Sequence, residues 1–172
     1  MFENDSFNEK IVSKKKSASD IAKFIGILFG GFVMIFVVPM FLPFLRYVYL
    51  FYIAAVFYGM YFAITSLNIE YEYAITNGEL DIDKIIARKR RKRIISVDTK
   101  NFEYFAPLND EHKSVYNGEY AKKIDAFSSP DANDIYFAYF FKSGEKIRLA
   151  FQPSEKMIEA IKLKMPRSMF HA

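Results

Sequence analysis

Residues 68–87 read NIEYEYAITNGELDIDKIIA, and their reading decides the fold. The first nine are rich in β-branched and aromatic residues. Asn77-Gly78 is the strongest short hairpin signal, and beyond it Leu80 and Ile82 alternate with Asp81 and Asp83. The stretch is predicted to be a β-hairpin with one apolar face. Directly after it, Arg88, Lys89, Arg90, Arg91, Lys92 and Arg93 follow one another in a chain of 172 residues whose formal net charge is only +4. Downstream, strands are predicted at RIISV (93–97), NFEYFAP (101–107), AKKIDAF (121–127), DIYFAYFF (134–141) and EKIRLAF (145–151), the last two joined by Lys142-Ser143-Gly144. The period then changes. Ser154 is the N-cap of a helix with Glu155 in its first turn, Met157, Ile158, Ile161 and Met165 form one apolar stripe, and Pro166 stops it.

Upstream, the 44 residues from Phe24 to Leu67 carry a single charge, Arg46. A bilayer core of about 30 Å takes about 20 helical residues, so the stretch is too long for one crossing and right for two. Pro39 and Pro43 in PMFLPFLR supply the break, giving spans near 23–43 and 46–67. A cleaved leader would have an apolar stretch of only about 7–15 residues. Lys10, Lys14, Lys15, Lys16 and Lys23 precede the first span and the basic run follows the second, so both termini are expected in the cytoplasm of a multi-pass cell-membrane protein.

Three regions result: a polar arm, 1–20, mobile or lying at the interface; a helical hairpin, 21–67; and a cytosolic β domain, 68–172. Gly26 with Gly30, and Ala55 with Gly59, have the small-x-x-x-small spacing of close helix packing, within the hairpin or between two copies. Tyr47, Tyr49 and Tyr52, with Tyr58 and Tyr61 further along, suit aromatic belts.

The segment YAITNGELDIDKIIARKRRKRIISVDTKNFEYF (73–105) resembles the opening of bacterial pleckstrin-homology domains: a Tyr-x-Ile-Thr strand, a second strand, a basic stretch and an Ile-rich third strand. With two spans before it and FQPSEKMIEAIKLKMPR (151–167) at its end, the chain is similar to a family of small two-span membrane proteins of Gram-positive bacteria. The resemblance implies a pleckstrin-homology-like fold, seven antiparallel strands capped by a C-terminal helix. It brings no catalytic residue with it.

Absence of cysteine removes thiolate catalysis, disulfides and Cys-based metal sites. His112 and His171 are expected on the surface, and neither sits in a ligand cluster. No phosphate-binding glycine motif occurs, so no cofactor is implied. Glu79, Asp81 and Asp83 read as the solvated face of a strand opposite the basic one rather than as metal ligands. Nucleic acid is disfavoured as a partner, since many of the 19 Phe and 12 Tyr lie in the spans. If β-strands leave and return to the membrane exit through the Asn77-Gly78 turn, the run 88–93 arrives at headgroup height, where each cation contributes about 1 kcal/mol near an anionic leaflet. The expectation is a non-enzymatic, membrane-anchored interaction or scaffold module, its basic tip facing anionic lipid headgroups or a protein partner. The competing expectation is an accessory subunit of a transporter or of envelope machinery, with the hairpin carrying specificity. A tip that is only solvated is the plain alternative.

Overall fold

The computed structural model describes residues 7–166 and 169–170. Strand β1 (Phe7–Ser13) precedes the apolar segment; β2 (Ile69–Thr76), β3 (Glu79–Ile86) and β4 (Arg90–Asp98) follow it, and these form one sheet in the order β1-β2-β3-β4. The second sheet is built from β5 (Phe102–Pro107), β6 (Lys122–Ala126), β7 (Tyr136–Lys142) and β8 (Glu145–Phe151) in the order β5-β7-β8-β6. Alternation, with a bulge between Phe102 and Tyr104 on β5, builds the shared core: Tyr73, Ile75, Leu80 and Ile82 from the first sheet and Phe102, Phe105, Phe140, Leu149 and Phe151 from the second are all buried. The Tyr73 ring meets Phe151 edge-on at 5.7 Å and its hydroxyl donates to the Ala126 carbonyl. Helix Glu155–Lys164, capped by Ser154, lays Met157 and Ile161 into this core.

Two expectations are corrected. The N-terminal arm contributes strand β1, so the described residues hold eight strands rather than seven. It pairs antiparallel with β2 from Phe7↔Thr76 to Ser13↔Glu70. None of its residues is buried; main-chain pairing holds it, helped by Lys10, whose ammonium lies 3.3 Å from Asp134 and donates to the Pro153 carbonyl at 3.2 Å. The sheets are also not purely antiparallel, because β6 runs parallel to β8. The β7–β8 hairpin occupies the centre of the sheet, with β5 and β6 on its two sides.

The apolar segment forms α1 (Ala18–Phe36), a short α2 (Val38–Phe41), a 3-10 stretch (Pro43–Val48) and α3 (Tyr49–Thr65). Helix α1 begins at a capping box in which Ser17 and Asp20 satisfy each other's backbone N–H groups. It breaks where expected: Pro39 has no N–H to give the Ile35 carbonyl. The Tyr49 hydroxyl donates to that carbonyl at 3.2 Å, and Tyr52 donates to the Met34 carbonyl at 2.5 Å. These two tyrosines thus tie α3 to the frayed end of α1, a role beyond the aromatic belt expected of them.

Ala18–Phe41 and Pro43–Thr65, 24 and 23 residues, are each long and apolar enough to cross a membrane. Within their most apolar windows only 6% and 0% of residues are buried, unlike the core helix of a soluble domain. Gly31 packs against Met60, where an added Cβ would collide with the thioether. Gly26, Gly30 and Gly59 have open space at that position. The expected packing role of Gly26 and Gly30 within the hairpin is therefore corrected to Gly31, while Ala55 and Gly59 border an apolar groove between α1 and α3. Gly31→Leu should loosen the pair by about 1–3 kcal/mol and Gly30→Leu should not. Amide exchange along α1 in vesicles separates the two outcomes.

The chain divides into two compact units. One holds β1, the strands from Glu70 onward and the C-terminal helix, and the other holds residues 15–69 together with the turn 86–89.

Candidate functional site

Three two-residue turns join neighbouring strands, and all place both central residues at positive φ: Asn77 and Gly78 (53° and 93°), Ser143 and Gly144 (55° and 83°), Ala87 and Arg88 (55° and 55°). The first two use glycine at the second position, as left-handed backbone favours. The third spends two side chains there, at roughly 1 kcal/mol or more per residue. Two hydrogen bonds hold it: Lys89 N–H to the Ile86 carbonyl at 3.1 Å, and Ala87 N–H to the Asn68 carbonyl at 2.9 Å. Asn68 lies three residues beyond the end of α3. The β3–β4 turn is thus fastened to the exit of the second apolar helix. Replacing Ala87-Arg88 by Asn-Gly should stabilise the protein by about 1–2 kcal/mol, read as a higher denaturation midpoint.

This bond gathers charge. Because α1 and α3 are antiparallel, the start of α1 and the end of α3 share one end of the helical unit, and Lys15, Lys16, Arg88 and Lys89, all exposed, belong to that end. Arg46 is the single charge in the connection at the opposite end. In the sequence Lys15 and Lys16 bear only on topology, and nothing there shows that they share an end with the Arg88 turn.

The rest of the run, Arg90 to Arg93, follows on β4 and is not uniform. Arg93 bridges Asp81 and Asp83, both at 2.5 Å, so these acids do face the basic strand, but Asp83 is buried rather than on the solvated face expected of it. Arg91 lies 2.5 Å from Oε2 of Glu72, a carboxylate that is buried on β2. Burial, and a hydrogen bond that protonated Glu72 donates to the Glu9 carboxylate, push Glu72 above the ordinary glutamate range, Arg91 pulls it down, and Glu9 and Asp83 push it up further through their charge. With its folded-state value raised, the associated stability is full at low pH and fades as pH rises through that value.

His112 is buried rather than on the surface, because the segment 108–120 folds over the outer face of the second sheet: its Nδ1 is 2.8 Å from the Tyr104 hydroxyl and its N–H donates to Asn109. His171 lies outside the described residues. Among the described residues, no group of three or more His, Cys, Asp or Glu could hold a metal ion. A cleft of about 450 Å³ between segments 108–117 and 130–133 is polar and open, and lies apart in the chain from the basic run.

Two four-stranded sheets around a shared core, closed by a C-terminal amphipathic helix, define a PH-like domain, a class of interaction or scaffold module. The chain belongs to the family described as bacterial PH-like domain (DUF6106), whose match covers residues 4–171 and so takes in both apolar helices and β1. No curated protein and no solved structure matches.

Proposed function

We propose that the protein is a non-enzymatic membrane-anchored interaction module, held by α1 and α3 as a two-span hairpin with both termini in the cytoplasm, whose basic tip faces anionic lipid headgroups. The observation that carries this reading is the Ala87–Asn68 hydrogen bond, which fixes Arg88 and Lys89 at the same helix ends as Lys15 and Lys16. Cations at the end of two exposed apolar helices sit where an anionic leaflet attracts each by about 1 kcal/mol. The PH-like fold supports the interaction class, and the absence of an assembled nucleophile, base or metal cluster from the sequence reading supports a non-enzymatic role.

The test is lipid selectivity of the full chain in vesicles of phosphatidylcholine with phosphatidylserine, measured as the fraction of motionally restricted spin-labelled lipid of each kind. The expected result is several-fold preference for phosphatidylserine, diminished as the Debye length falls from about 10 Å at 0.1 M salt to about 3 Å at 1 M. Lys15→Ser, Lys16→Ser and Lys89→Ser together should remove most of it. Equal restriction of both lipids would refute the reading.

A further inference from the structure

We infer that Arg91 is a proton-gated element of the basic tip: it stays on Glu72 while that carboxylate is ionised and is released toward anionic headgroups when Glu72 takes up a proton. The inference rests on the headgroup-facing reading of the tip and concerns its regulation.

The geometry makes the coupling obligatory. Glu72 is buried on β2, with its side chain 8% exposed, whereas the Arg91 side chain is 60% exposed. Around the carboxylate stand Glu9 on β1 and Asp83 on β3, both acids, with Glu70 two residues away on its own strand; Arg91 on β4 is the cation paired with it. Asp83 is itself held by Arg93. Among the described residues, Oε2 of Glu72 has no aligned hydrogen-bond donor, so the charge of Arg91 is what offsets it. If Arg91 moves to a phosphate, the buried carboxylate is left charged among like charges, which is strongly unfavourable. Protonation removes that obstacle. The proton comes from water, Arg91 keeps its charge throughout, and docking and proton uptake become linked functions of pH. The raised affinity of Glu72 for a proton, caused first by burial and then by Glu9, brings the change closer to neutral pH than an ordinary glutamate allows.

Because the chain contains no cysteine, the full protein with Lys92→Cys can carry one polarity-sensitive dye. It is reconstituted in phosphatidylcholine vesicles with and without phosphatidylserine and titrated from about pH 8 to about pH 4.5, spanning the glutamate range and above. With phosphatidylserine, dye emission should shift blue as pH falls, the docked-to-undocked ratio rising by up to about tenfold per pH unit for one linked proton. Glu72→Gln should be docked across the whole range. Glu9→Gln should move the midpoint to lower pH, because a like charge is lost. A pH-independent parent, or Glu72→Gln with the parent's profile, overturns the gate while phosphatidylserine dependence still supports the membrane reading. If no variant responds to phosphatidylserine at any pH, the membrane reading fails and the gate fails with it.

Discussion

Phe105→Ala should unfold the PH-like unit under conditions where the parent is stable, while leaving the helical hairpin in place. Phe105 is fully buried on β5 and its ring lies 5.3 Å from Tyr136 and 6.2 Å from both Phe102 and Phe151. Truncation removes a whole aromatic ring from a core shared by both sheets, and such changes cost about 3–5 kcal/mol. Against a typical total of about 5–15 kcal/mol, this is a large fraction. Hydrogen exchange followed by mass spectrometry distinguishes the units: amides of β5, β7 and β8 should lose protection, whereas those of α1 and α3 should not.

The second large effect is expected at Arg148 on β8. This residue is 4% exposed; it donates to the Tyr116 carbonyl at 3.0 Å and to Asp125 at 2.5 Å, and its guanidinium lies 3.9 Å from the centre of the Tyr116 ring. Arg148→Ala leaves a cavity, an unpartnered carbonyl and a ring without its cation. Asp125 remains half-exposed, which limits the electrostatic part. The sum is about 2–3 kcal/mol. Arg148→Lys should recover part of it, since the charge remains but the forked donor geometry does not. The readout is the thermal midpoint, with loss of protection over segment 108–120 preceding the rest.

Local chemistry explains what was legible in the sequence. Asn77-Gly78 and Ser143-Gly144 announce their turns because glycine tolerates positive φ, and the Ala87-Arg88 turn was hidden because neither residue favours that conformation. The C-terminal helix was readable from its Ser154 cap and 3.6-residue stripe. Strand β1 was not, because it buries no side chain and is held by main-chain pairing and by Lys10, whose partners lie more than a hundred residues away. Nothing in EKIRLAF marks Arg148 as covered, because its partners Tyr116 and Asp125 come from elsewhere in the chain. Spacing alone likewise favoured Gly26 and Gly30, since a small-x-x-x-small pattern does not say which face of a helix meets its neighbour; Gly31 does. Of the basic run, strand length could bring the tip back toward the end of the second apolar segment, but not show that Arg91 and Arg93 are tied to the acids of β2 and β3.

The consequence for fragments is direct. A chain beginning at residue 68 lacks β1 and exposes the edge of β2, so tests of the tip belong on the full protein.

The central claim, that the two helices cross the bilayer with the basic end on the cytoplasmic side, is tested most directly by thiol labelling in intact cells. Single cysteines replace Tyr47, in the connection between the helices and 92% exposed, and, in separate variants, Lys15 and Lys89 at the other end. A membrane-impermeant reagent should label position 47 from outside and reach positions 15 and 89 only after permeabilisation. Labelling of position 89 in intact cells, or protection of position 47 in cells where 15 and 89 are open, would contradict it.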